Sequence, residues 1–125
     1  MEFLKSKSPW EDLVSYSRAC KVGNVISVSG TTAIELGEIV APGNAYKQTL
    51  KALEIIEKAI LHFGGAKTNI TRTRIYVTDI TEWEAVGRAH REFMDGHTPA
   101  CTMVEVRKLI DPKLLVEIEA DAILY

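Results

Sequence analysis

The chain has 125 residues, 46% of them hydrophobic, a length that supports one compact domain with a real core and is too short for two. Its 15 basic and 17 acidic residues are mixed along the length for a net charge of −2, so the basic footprint of a general nucleic-acid binder is missing. Two cysteines make no disulfide framework, no apolar leader opens the chain, and no run approaches the roughly 20 apolar residues of a membrane span, so a cytoplasmic protein is expected.

The first eight residues are polar and expected to be loose, with Pro9 and Trp10 leading into the fold. Two strand-like runs, YSRACKV and VISVSG, flank Gly23-Asn24, a hairpin signal because such dipeptides accept positive φ. A loop with Gly30, Gly37, Pro42 and Gly43 follows. NAYKQTLKALEIIEKAILHFGG then reads as the longest helix, with Leu53, Ile56, Ile60 and Phe63 on one stripe and Gly64-Gly65 as its stop.

ITRTRIYVTDI alternates as a strand, Arg72, Arg74 and Tyr76 against Thr73, Ile75 and Val77. Thr81 and Glu84 form a T-x-x-E capping box for a second helix, EWEAVGRAHREFM, ending at Gly96. Two further strands, ACTMVEVRKL and LLVEIEADAIL, lie around Asp111-Pro112. With no repeat or linker, the order predicts a single α+β domain over residues 1–125, two helices on one face of a mainly antiparallel sheet.

The helix-free face carries the information. In the last strand Val116, Ile118, Ala120 and Ala122 point to the helices, and Glu117, Glu119 and Asp121 point away. In the strand before it Cys101, Met103, Glu105 and Arg107 share one face, which is expected to join Arg72, Arg74 and Tyr76 on the helix-free side. Such a face is either solvated, with charges paired across strands at about 0.2–1 kcal/mol each, or it meets other subunits.

The stretches YSRACKVGNVISVSG, KALEIIEKAILHFGG, RIYVTDITEWEAVGRAHREFM and PACTMVEVRKL…LLVEIEADAIL together resemble the Rid family (YjgF-type, reactive intermediate deaminases) from about Tyr16 to Leu124. The resemblance implies a six-stranded, chorismate-mutase-like sheet that assembles as a homotrimer with small-molecule clefts between subunits. It also implies hydrolysis of enamines and imines to a carbonyl product and ammonia, with no cofactor. In active relatives the residue after P-A is an arginine that binds the substrate carboxylate, and here it is Cys101. A family cysteine becomes Met103 and a frequent asparagine becomes Gly87, while Tyr16, Ser29, Gly30, Glu105 and Glu117 are kept. Glu117 matches the acidic residue proposed to hold or activate water. Tyr16, Ser29, Gly30, Gly87, Cys101 and Met103 become the substrate-binding candidates.

Each candidate has a plainer reading. Cys101 as a nucleophile needs a base or cation to form thiolate, and otherwise it is a small buried or cleft-lining residue. Glu117 is either a general base in a poorly solvated cleft or, with Glu119 and Asp121, a charge partner of Arg72 and Arg74. Tyr16 either orients a ligand or lies on a rim, and Gly30 either offers its backbone to a ligand or simply turns the chain. His90 reads as a surface or interface residue. Arg18 is a candidate to replace the missing arginine from another direction, since a thiol has neither the charge nor the two parallel donors of a guanidinium. His62, His90 and His97 have no metal-ligand spacing, and no phosphate loop is present.

Three functions compete. The first is an enamine or imine deaminase with an altered substrate, Glu117 positioning water. The second is a non-catalytic trimer that binds a small molecule or protects other proteins. The third, endoribonuclease activity attributed to some relatives, is disfavoured by the near-neutral charge.

Overall fold

A computed structural model describes residues 1–125. In chain order the elements are β1 (Glu2–Leu4), α1 (Pro9–Val14), β2 (Ala19–Val22), β3 (Val25–Thr31), β4 (Ile34–Glu35), β5 (Glu38–Ile39), α2 (Ala45–His62), β6 (Ile70–Val77), α3 (Trp83–Met94), β7 (Ala100–Glu105) and β8 (Val116–Ile123). The sheet runs β1-β2-β3-β8-β6-β7, antiparallel everywhere except the parallel pair β6–β7, and β4–β5 is a separate small hairpin. The α+β architecture with a mainly antiparallel six-stranded sheet is therefore as expected.

Alternation decides what the sheet buries. Val116, Ile118, Ala120 and Ala122 of β8 are all buried, as are Ile26 and Val28 of β3 and Ile75 and Val77 of β6. Leu53, Ile56 and Ile60 press the apolar stripe of α2 onto this face, and α3 packs beside α2 with Val86 and Met94 in the same core. Asn44 caps α2 by accepting a hydrogen bond from the Lys47 backbone N–H at 2.9 Å. Gln48, fully buried, donates to the Ala41 and Lys113 carbonyls and accepts from the Leu115 N–H, tying α2 to two loops.

The β2–β3 turn falls at Gly23-Asn24, but only Gly23 has positive φ (58°); Asn24 instead binds the Leu124 backbone with both its side chain and its carbonyl. Other expectations are corrected. Residues 1–8 are not all loose: Glu2–Leu4 form an edge strand on β2, and the buried Glu11 carboxylate accepts from Ser6 N–H and hydroxyl. The loop after β3 contains the β4–β5 hairpin, whose central Leu36 and Gly37 both have positive φ. The Thr81–Glu84 capping box does not form. Asp79 accepts from Thr81 instead and starts a 3-10 turn, Ile80–Glu82, ahead of α3. In the sheet, β6 lies between β7 and β8. No helix is long and apolar enough to cross a membrane.

Candidate functional site

The β3–β8 ladder is interrupted by a bulge between Val28 and Thr31, so that Ser29 and Gly30 are displaced from regular pairing. A bulge re-aims side chains and backbone, and here it opens a place for Glu117. A Cβ built on Gly30 would lie 3.0 Å from the Glu117 carboxyl carbon. Any side chain at this position would crowd the Glu117 carboxyl, and the constraint is one of space, since the φ of Gly30 is outside the left-handed region. It is no plain turn residue, since it lies within β3, and its carbonyl accepts a hydrogen bond from Arg18 Nη2 at 2.5 Å.

Arg18 immediately precedes β2 and is fixed by backbone bonds to Leu4 and Ser29. Its half-buried guanidinium belongs to none of the molecule's ion pairs, and its Nε is shut from solvent without an acceptor. Burial lowers the Arg18 pKa, opposed by Tyr16, Glu11 and Glu117 nearby. Burial likewise raises the Glu117 carboxyl above its ordinary value, while Arg18 pulls it back and Glu119 adds to the rise.

The acidic ladder of β8 divides. Asp121 pairs with Arg74 at 3.2 Å, and Glu119 accepts the Tyr76 hydroxyl and lies 3.9 Å from Arg74. Arg72 forms no ion pair, and Glu117 has no such partner either, so the reading of all three acids as partners of Arg72 and Arg74 holds for two of them, through Arg74 alone.

Beside this cluster a groove of about 760 Å³ opens on the helix-free face, lined by Tyr16, Ser17, Ser29, Cys20, Glu119 and Asp121 among others. It takes in the chain neighbours of Arg18 and Gly30, while Arg18, Gly30 and Glu117 themselves lie outside its lining. The Ser29 hydroxyl donates to the Ser17 carbonyl at 2.7 Å, so it shapes the groove wall.

The remaining candidates lie elsewhere. Parallel pairing sets Cys101 beside Thr73 and Met103 beside Ile75, both core-facing positions of β6. Cys101, Met103 and Glu105 therefore share the helix side, and Thr102 and Val104 join Arg74 and Tyr76 on the helix-free side, the reverse of the expected assignment. Arg107 falls beyond the strand. Cys101 is exposed, contrary to a small buried residue, and lines a second pocket of about 270 Å³ with His90, His97 and Met94. Gly87 sits one helical turn before His90, with open space where a Cβ would be.

His90 is half-buried and its Nε2 is 2.9 Å from the Thr73 hydroxyl, so it reaches into the fold and is no plain surface residue. Burial lowers its pKa and favours the neutral ring. His97 Nε2 lies 2.7 Å from the Ile70 carbonyl, and a carbonyl can only accept, so that nitrogen carries hydrogen.

Cys101 and Glu117 are thus on opposite faces and two strands apart, roughly 14 Å by strand and residue spacings. One chain brings together Tyr16, Arg18, Ser29, Gly30 and Glu117, while Cys101 and Met103 share the other face of β7 and Gly87 lies apart on α3. Glu11 was not singled out in the sequence. An acid in PWEDLV carries no signal of burial, and its partner Ser6 lies in a stretch without strand or helix patterning.

Residues 7–124 match the family model described as endoribonuclease L-PSP. A RutC family protein of Pyrococcus abyssi is 40% identical over 111 residues, covering 86% of this chain and 84% of its own. The 3-aminoacrylate deaminase RutC of Acinetobacter baylyi is 31% identical over 111 residues, covering 88% and 87%. Among solved structures, a Mycobacterium tuberculosis member of the YjgF/YER057c/UK114 family superimposes with a TM-score of 0.89 at 41% identity, covering 98% of both chains.

Proposed function

Because this chain belongs to the endoribonuclease L-PSP (YjgF/Rid) family, we propose that it hydrolyses a reactive enamine or imine to a carbonyl compound and ammonia, with Glu117 handling the protons. The observation that carries this reading is the Glu117 carboxyl, half-buried at the β3 bulge, raised by burial, and left without an ion pair while Glu119 and Asp121 are engaged. A carboxyl poised in this way exchanges protons near neutral pH more readily than a solvated one. Protonated, it donates to the enamine carbon and gives the iminium ion. Ionised, it takes a proton from water as the water oxygen bonds to the iminium carbon, giving a neutral carbinolamine. Glu117 passes that proton to the amine nitrogen, the C–N bond breaks to release ammonia, and the hydroxyl proton returns to Glu117 as the carbonyl forms. The deaminase named among the relatives supports the reaction class.

The proposal includes a homotrimer with small-molecule clefts between subunits. Glu117 and Cys101 face opposite ways in one chain, so a cleft holding both draws Gly87, Cys101 and Met103 from a second copy. Cys101 has no charge to offer a carboxylate, which favours a substrate different from that of arginine-bearing relatives. The same observation favours a second reading, a trimer that binds a metabolite without turnover. Endoribonuclease activity, named in the family's description, meets a chain of net charge −2 without a basic stripe.

The test is ammonia and carbonyl release from freshly generated 2-aminoacrylate and 3-aminoacrylate, comparing the unmodified protein with Glu117→Ala, Cys101→Arg and the helix-surface control Glu54→Ala. Activity lost in Glu117→Ala and kept in Glu54→Ala is expected. Equal effects of the two would overturn the role of Glu117, and activity only in Cys101→Arg would favour the binding reading.

A further inference from the structure

The geometry points to Arg18 as the anion-binding residue of this site: we propose that its guanidinium receives the carboxylate of a small ligand whose reactive end lies toward Glu117. This rests on the reading of Glu117 above and names the ligand class that reading leaves open.

A guanidinium has five N–H donors in a rigid fork, and removing it from water without an anion is costly. Arg18 spends one donor on the neutral Gly30 carbonyl. Its Nε has no acceptor, and no carboxylate of the chain comes within ion-pair distance. Of the two acids nearest it, Glu11 is buried against the Ser6 backbone N–H and hydroxyl with Lys5 beside it, and Glu117 lies across Gly30 without a hydrogen bond or ion pair to Arg18.

The direct contacts of this half-buried cation are therefore short by one anion. A planar carboxylate fits that deficit, since its two oxygens match the parallel N–H bonds of the fork. Tyr16 and Ser17, which lead into Arg18 along the chain, line the 760 Å³ groove, so the same loop borders a space large enough for a small organic acid. Gly30 orders the two ends: its carbonyl holds Arg18 and its missing side chain admits Glu117. Arg18 would thus supply, from the opposite end of the ligand, the cation that Cys101 does not.

Titration with propionate and with the neutral isostere propionamide tests this, followed by the Arg18 Nε–Hε resonance. Propionate should move that resonance saturably and propionamide should not. In Arg18→Gln the propionate affinity should fall at least tenfold, and in Arg18→Lys by less, because the charge remains without the fork. Glu117→Gln, which removes the neighbouring negative charge, should tighten propionate several-fold and carries the test even if Arg18→Gln fails to fold.

Equal response to propionamide, or no tightening in Glu117→Gln, would overturn the assignment. So would dissociation of the assembly in Arg18→Gln without loss of propionate binding, because the acceptor would then belong to a neighbouring subunit. Deamination that disappears in Glu117→Ala while propionate affinity is unchanged in Arg18→Gln would remove the anion site and keep the deaminase. Propionate binding that depends on Arg18, with no enamine hydrolysed, would do the reverse.

Discussion

Gly30 and Glu117 approach closely across the sheet: a Cβ on residue 30 would lie 3.0 Å from the Glu117 carboxyl carbon, tighter than an ordinary contact. The relationship is one of volume. Alanine at 30 would adopt the backbone without strain and move the carboxyl by a few tenths of an ångström, so Gly30→Ala is expected to lower turnover, by less than the roughly 10²-fold of a full ångström's displacement. Its melting temperature should change far less than its activity, and a parallel collapse of both would mean that the bulge itself fails to form.

Glu117 also sets a pH dependence of stability. Its folded pKa is raised above the unfolded value, so the unfolded chain is the more ionised state and Glu117 destabilises the fold at neutral pH. The penalty is complete above the folded pKa and is relieved as pH falls toward the ordinary value of 4.5. Glu117→Gln should therefore melt higher than the unmodified protein at pH 7, with the difference vanishing near pH 4. Melting curves across that range check it, and a constant difference would assign the effect to packing.

Gly87 offers a separation of stability from function. It lies inside α3 with nothing within 4 Å of the place a methyl group would take, so Gly87→Ala should stabilise the helix by about 0.5–1 kcal/mol. If a second copy brings Glu117 opposite this surface, the added methyl should reduce turnover while denaturant midpoints rise. Unchanged turnover would put Gly87 outside the cleft.

Assembly is checked by sedimentation. β7 is exposed on both faces and has a partner on only one edge, with Val104 and Cys101 open on opposite sides. A trimer is the expected species, and a stable monomer would sink the shared-cleft proposal.

What the sequence disclosed and what it hid follow from where burial supplies a signal. The α2 stripe of Leu53, Ile56 and Ile60 and the β8 alternation of Val116 to Ala122 were legible because one face of each is fully buried. β7 was not, since neither of its faces is buried. Cys101 and Met103 are no more apolar a set than Val104 and Val106, and only the register to β6 decides between them. The β4–β5 turn was hidden because Leu36 holds a positive φ that Asn or Asp ordinarily advertises. The Thr81–Glu84 spacing misled because Asp79, two residues earlier, reached the Thr81 N–H first. Glu117 and Gly30 were both candidates by family resemblance. Their contact exists only through pairing between strands about 90 residues apart, and Arg18 reaches the Gly30 carbonyl across the β2–β3 hairpin.

The position of β8 bears on how the protein is made. This strand follows every other in sequence, yet it lies in the middle of the sheet, between β3 and β6. Until it emerges from the ribosome, the amino-terminal hairpin and the β6–β7 pair have no sheet to join, and each presents a bare edge to its surroundings. Folding of this chain is accordingly withheld until synthesis of the whole domain is done, and the nascent protein depends in that interval on being kept from its neighbours.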